Sequence, residues 1–108
     1  MINIVEVTLT GDGSRGSVLI ESDLKKLSSQ IEELSSAGAR EQVLLAAVKE
    51  GIKGQPGISR TVDPPYPVNS DNETIENLTD EDGSPLPATS PRCQPQKYRA
   101  RYEVTARQ

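Results

Sequence analysis

The chain has 108 residues, a formal net charge of −4 at pH 7 and a hydrophobic content of 33%. This apolar fraction is low for a globular domain, and Phe and Trp are absent, so one small core is expected. The acidic balance argues against nonspecific binding to nucleic acid or to an anionic membrane, because both depend on an excess of Lys and Arg.

The N-terminal region predicts one or two β-strands. Ile2 to Thr10 is rich in Ile, Val and Thr, with apolar residues in both phases, and Val18 to Glu21 could return beside it. The loop between them has the spacing Gly11-x-Gly13-x-x-Gly16, which matches a dinucleotide-binding pattern. Since the residues after it look extended instead of helical, a hairpin loop is the preferred interpretation.

An amphipathic helix is predicted after Ser22, a good N-cap residue. Its apolar positions recur every three or four residues and form a narrow seam suited to one neighbouring surface or a coiled-coil partner. The seam residues, which we predict to contact a partner, are Leu24, Leu27, Ile31 and Leu34.

A second helix is predicted from about Arg40 to Glu50, with Val43, Leu44, Ala47 and Val48 as its apolar face. The Ser- and Gly-containing stretch before it predicts a break near Gly38. One continuous, kinked helix is the alternative. Residues 1–53 are thus expected to form a strand and helix body.

Residues 54–96 predict an extended, Pro-rich, acidic arm. They contain all eight prolines, and the stretch from Thr61 to Pro91 has seven acids and no base. Proline fixes φ and lacks an N–H, so this segment is not expected to continue a helix or lie centrally in a sheet. Ser70 to Glu73 resembles a capping box before one short helical turn.

Residues 97–108 predict a C-terminal strand with two different faces. Every second residue from Tyr98 to Ala106 is apolar and falls on one face. The residues in the other phase, every second one from Lys97 to Arg107, are mostly charged and fall on the opposite face. Ile2 to Thr10 is its expected partner within the chain. The residues predicted to contact other subunits here and in the arm are Tyr66, Tyr98, Arg99, Arg101 and Tyr102.

Residues suited to catalysis or metal binding are scarce. His is absent, and Cys93 is the only cysteine, followed directly by Gln94 and Pro95, so no imidazole is available to activate the thiol. Asp80 to Gly83 resembles part of a calcium loop, but prolines stand where the bidentate Glu would be expected. We therefore predict no enzyme activity, no cofactor and no metal site.

These features together predict an α+β protein that acts in assembly: a small strand and helix body, a long arm and a strand that docks by addition to a sheet. Small proteins of this type are common in tailed-phage particles, as head decoration proteins, neck or tail adaptors and baseplate parts. The likeness is one of type and no family motif accompanies it. The expected partners are copies of the chain and a larger structural protein.

The alternative is a small acidic adaptor or inhibitor that binds a basic surface of a partner protein, using the acidic stretch. In either case the N-terminal residues lack the basic and apolar pattern of an export signal, so synthesis in the cytoplasm is expected, with incorporation into a virion in the first case.

Overall fold

The computed structural model describes residues 2–22 and 27–107, and for residues 27–30 it describes the backbone alone. Within these residues the chain is α+β, and its strands form one open antiparallel sheet in the order β1-β2-β4-β3. This confirms the predicted class. In chain order the elements are β1 (Ile2–Leu9), β2 (Arg15–Ser22), α1 (Leu27–Leu34), α2 (Ala37–Glu50), β3 (Gln55–Val68) and β4 (Lys97–Arg107).

The C-terminal strand β4 lies inside the sheet. It pairs with β2 from Arg15↔Thr105 to Glu21↔Arg99 and with β3 along its other side. The expectation that it pairs with Ile2 to Thr10 is wrong, because the glycine loop turns tightly and returns β2 beside β1. β4 then pairs with the free side of β2.

The core lies between one face of the sheet and the two helices. On β4 it contains Ala100, Tyr102 and Val104, which are all buried, as the alternating pattern predicts. These pack with residues of β2, α1 and α2, since antiparallel partners in register place their side chains on the same face. The other members of this core are Val18, Ile20, Leu34, Ala39, Val43, Ala47 and Ile52.

The two helices are separate, as predicted, but the break lies at Ser35 and Ser36 instead of at Gly38. Ser36 has extended backbone angles and accepts a hydrogen bond from the N–H of Ala39, so it caps α2. Gly51 ends the helix in the left-handed conformation at φ 103°, which favours glycine.

The buried stripe of α2 differs from the prediction. Ala39, Val43 and Ala47 are buried at spacings of four residues, whereas Val48 is 53% exposed. A stripe of small side chains lets α2 lie close to the sheet. Val48 therefore belongs to the helix surface and Leu44 to the border of the core.

The first third of the predicted arm is a strand. Residues 55–68 form β3, which pairs with β4 through a register broken near Ser59, Val62 and Pro64. Proline is tolerated in an edge strand because its missing N–H then faces away from the ladder. The prolines thus correctly predicted that this segment does not lie at the centre of the sheet. They did not predict that it forms an edge strand.

The remaining residues, 69–96, form a loop built from short turns. Asn69 is buried and holds it: its side-chain N–H groups donate to Glu73 Oε1 at 3.1 Å and to the carbonyl of Arg92 at 3.0 Å. Its Oδ1 accepts from the N–H groups of Asp71 and Glu73. The predicted capping box does not form, although a 3₁₀ turn follows at Ile75–Asn77.

Candidate interaction site

The sheet face opposite the helices, called here the open face, carries paired charges. Glu21 lies 3.2 Å from Arg99 Nε and 3.6 Å from Lys97 Nζ through the same oxygen, Oε2. Arg99 also donates to the side chain of Asn72 in the loop, at 3.4 Å. The predicted contact residue Arg99 is therefore already engaged within the chain and is less than one-fifth exposed at its side chain.

The second predicted arginine on this face, Arg101, is also paired. Its Nε lies 3.5 Å from Asp63 Oδ2, and its NH1 group donates to Ser17 Oγ at 3.2 Å. Next along β4, Glu103 pairs with Arg60 of β3. Such partly exposed pairs contribute little to stability, so the open face is a mixed-charge surface and not a free basic one.

Tyr66 lies on the open face, opposite Arg99 in the pairing of β3 with β4. It is half-buried. Burial raises the pKa of its hydroxyl, and the charge of Arg99 acts in the opposite direction. The structure thus brings three predicted contact residues, Tyr66, Arg99 and Arg101, together on one face.

The other two tyrosines lie on the opposite face. Tyr102 is 1% exposed, and its hydroxyl donates to the carbonyl of Leu34 at 2.6 Å. The guanidinium of Arg40 lies 5.8 Å from its ring centre, within the range of a cation–π contact. Tyr98 packs, partly buried, at the border of the core. Tyr102 thus connects the sheet to both helices, and the role of both tyrosines in partner contact stays a prediction.

The predicted helix seam is only partly visible. Leu34 is fully buried in the core and Ile31 is 42% exposed. Leu24 lies outside the described residues, and so does the side chain of Leu27. Since Leu34 points into the core and Ile31 toward solvent, these two residues do not share one exposed surface.

The surface that sequence patterns did not single out is the β1 edge of the sheet. Beside it lies a groove of about 450 Å³ between β1 and α2, which we call the β1 groove. Ile4 on the strand and Leu45 on the helix line the groove with exposed apolar side chains, and Val5, next to Ile4 in the chain, is also exposed. The groove is lined by Ile4, Val7, Gln42, Leu45, Ala46, Lys49 and Glu50.

The two edges of the sheet differ in chemistry. β3 contains four prolines and has an irregular register, features that blunt a sheet edge. β1 has a single register irregularity, at Val5, but it has no proline and no Lys or Arg, and Glu6 is its single charged residue. The β1 edge is thus the one on which another strand could be added.

Sequence could have hinted at this difference, because the asymmetry of proline and charge between β1 and β3 is visible in it. The missing information was the strand order. Without it, Ile2 to Thr10 reads as a strand covered on both sides, and nothing marks it as an edge.

The glycine loop has the geometry of a hairpin. The Thr10 N–H donates to the carbonyl of Arg15 at 2.8 Å, and hydrogen bonds from the Thr10 and Ser14 hydroxyls hold the pKa of Asp12 well below its ordinary range. Gly16 follows in β2, where an added Cβ would lie 2.3 Å from the carbonyl oxygen of Thr8. This glycine permits close strand contact, and a strand, not a helix, follows the loop.

The acidic turn also has a structural explanation. Asp80 Oδ1 accepts from the N–H groups of Asp82 and Ser84, and Gly83 takes a positive φ of 81°. In the described parts of the chain, no group of three His, Cys, Asp or Glu side chains is placed to hold a metal ion. Cys93 is half-buried in the loop.

No helix within residues 2–22 and 27–107 is long and apolar enough to cross a membrane. Protein-family models, curated proteins and solved structures give no match to this chain. The interpretation of its surfaces therefore depends on their geometry and chemistry.

Proposed function

We propose that the chain is a non-enzymatic assembly protein, an accessory component of a multi-subunit particle such as a phage virion, and that it joins other subunits by strand addition. A head decoration, neck or tail adaptor, or baseplate part fits this role. The observation that carries the proposal is the β1 edge, which has no proline, Lys or Arg, beside the apolar β1 groove. The docking strand is then β1, because β4 is already paired on both sides.

The backbone of β1 supports strand addition. Alternate residues of an edge strand direct their N–H and C=O groups inward, and the others direct them outward. Since Thr10 bonds inward to Arg15, the same alternation leaves Val7 and Leu9 with outward backbone groups. An added strand would satisfy these groups and cover Ile4 and Leu45 with its own side chains.

The loop of residues 69–96 is the part of the predicted arm that remains available for a larger structural partner. It connects β3 to β4, on the half of the sheet away from β1. Many of its residues are exposed, including Glu76, Glu81 and Asp82. Docking at β1 and docking through the loop can therefore take place at the same time.

Sedimentation of intact particles from the native source tests this proposal, with the chain quantified by mass spectrometry. We expect it in the particle fraction at a fixed copy number relative to the main structural subunit. Recovery of the chain only in the low-molecular-mass fraction would contradict the assembly role.

A matched pair of variants then tests the docking edge. Val5 and Val62 are both exposed valines at register irregularities, one on each edge strand, with exposed fractions of 40% and 36%. Val5→Lys should reduce incorporation into particles at least tenfold, because lysine blocks an edge. Val62→Lys should incorporate normally, and equal loss in both variants would exclude β1 as the specific docking edge.

The alternative function, an acidic adaptor or inhibitor of a basic partner, is favoured by the loop itself. Glu76, Glu81 and Asp82 are exposed, and none of them pairs with a cation among the described residues. This alternative predicts a one-to-one complex whose affinity falls steeply with salt. Neutralising the three acids to Gln should abolish that complex, whereas assembly through β1 should persist.

A further inference from the structure

We infer that the occupant of the β1 edge is β1 of a second copy of the chain. The two strands would run antiparallel across a two-fold axis and join two four-stranded sheets into one of eight strands. This inference rests on the proposed function, because it names the partner at the same edge. It makes a dimer the unit that enters the assembly.

The charge of β1 suits pairing with an identical strand. A two-fold axis sets a strand against its own copy, so like charges oppose each other unless the strand is nearly neutral. Glu6 is the single charged residue in Ile2–Leu9. Every symmetric register except one centred on Glu6 therefore places this carboxylate opposite an uncharged residue.

The charges at the rim of the β1 groove do not favour a partner of one sign. Lys49 and Glu50 lie next to each other at the end of α2, and both line the groove. A partner with a surface of one sign would meet one attractive and one repulsive charge here. This end of the groove therefore gives a strongly charged partner no advantage over a nearly neutral strand such as β1 of a second copy.

The available area matches a reversible dimer. An eight-residue antiparallel strand is roughly 27 Å long. The thinnest dimension of the molecule is 18 Å. The side of the molecule that contains the β1 edge and the β1 groove is called here the β1 flank. Its length multiplied by this thickness gives about 500 Å² on each copy and about 1,000 Å² in total, which is the lower bound for a specific interface. We therefore expect dissociation on dilution.

The exposed apolar side chains of the β1 flank also support a dimer. Ile4, Val5 and Leu45 are each at least 40% exposed in the single chain. Pairing the β1 edges of two copies would remove Ile4 and Leu45 from water together, because the symmetry brings each groove beside its copy. The large exposed side chain Val48 lies farther round α2 and does not line the groove, so it serves as a control.

Analytical ultracentrifugation of the purified chain from 1 µM to 1 mM tests the inference. We expect the mass to rise with concentration from 11.7 kDa toward twice that value. Leu45→Glu should raise the dimer dissociation constant at least tenfold, whereas Val48→Glu should leave it within twofold. Both residues are exposed on one helix, so neither change should unfold the chain, and circular dichroism checks this.

Two results would overturn the inference: a wild-type chain that stays monomeric at 1 mM, or equal effects of Leu45→Glu and Val48→Glu on the dimer. Either result leaves the proposed function standing if Val5→Lys still blocks incorporation into particles, because β1 would then pair with a different subunit. If the wild-type chain forms the dimer but is absent from particles, the inferred dimer would stand and the proposed assembly function would be wrong.

Discussion

At the scale of single residues, Tyr102 combines apolar burial with one polar anchor. Its ring lies in the core and its hydroxyl donates to the carbonyl of Leu34, so one side chain connects the centre of β4 to the end of α1. Tyr66, on the open face, is only half-buried and has no such bond among the contacts described. The two tyrosines therefore permit a matched comparison.

Tyr102→Phe should lower the free energy of unfolding by about 1–2 kcal/mol, because the Leu34 carbonyl loses its donor while the ring stays in place. Tyr66→Phe should change it by less than about 0.5 kcal/mol. Urea denaturation of both variants measures this. Equal changes would contradict the structural role given to the Tyr102 hydroxyl.

Glu73 makes the loop sensitive to acid. The hydrogen bond from Arg92, at 2.7 Å, and a second from Asn69 lower the pKa of this carboxyl below its ordinary value of 4.5. An acid whose pKa is lower in the folded chain than in the unfolded chain stabilises the fold at pH values above its unfolded-state pKa. This stabilisation is lost as the pH falls through the folded-state pKa. The contact should therefore be intact at pH 7 and weaken below about pH 4.5.

Nuclear magnetic resonance of the Asn69 side-chain amide during an acid titration follows this contact. In Arg92→Gln the midpoint should move upward toward 4.5, since the main cause of the lowered pKa is removed. An unchanged midpoint in that variant would show that Arg92 does not hold the Glu73 carboxyl.

At the scale of elements, the β1–β2 hairpin depends on one close contact. A Cβ on Gly16 would meet the Thr8 carbonyl oxygen at 2.3 Å and a methyl carbon of Leu9 at 2.6 Å, whereas one on Gly11 would meet nothing within 4 Å. Gly16→Ala should therefore cost about 2 kcal/mol or more, because backbone atoms must move to relieve the contact. Gly11→Ala should be nearly neutral, and thermal unfolding of both variants compares them.

The elements also show how far sequence patterns reach. The alternation of β4 and the glycines after Glu50 are local signals, so the strand, its buried face and the approximate end of α2 could be predicted, whereas the cap at Ser36 was not. Strand order is not local. The pairing of β4 with β2 depends on which edges remain free after the hairpin closes, and the paired strand in residues 55–68 depends on its position at an edge.

The candidate site was predictable in part for the same reason. Tyr66, Arg99 and Arg101 were identified from composition and alternation, and they do lie together. Their engagement with Glu21 and Asp63 could not be read from the sequence, because it depends on register across three strands. The β1 groove depends on the place where α2 crosses the sheet, which short-range patterns do not report.

At the scale of the whole molecule, the chain is elongated. Its radius of gyration is 15.6 Å and its longest dimension is 49 Å. A compact domain of about 100 residues has a radius near 13 Å. The small core expected from composition is thus spread along a long sheet, and stability depends on the strand that connects its two halves.

A truncation that removes residues 97–107 should abolish the fold, because β2 and β3 both lose their partner and the core loses Ala100, Tyr102 and Val104. Circular dichroism should show no cooperative unfolding transition. Replacing the exposed turn of residues 80–84 by Asn-Gly should leave the transition in place. A cooperative transition in the truncated chain would contradict the central role of β4.

The position of β4 has a consequence for biosynthesis. The ribosome makes β4 after the other three strands, at roughly 5–20 residues per second. Until it emerges, β2 has one unsatisfied side and β3 has no neighbour in the sheet. The nascent chain therefore cannot complete its core before β4 has emerged, and until then its apolar β2 face is a substrate for chaperones.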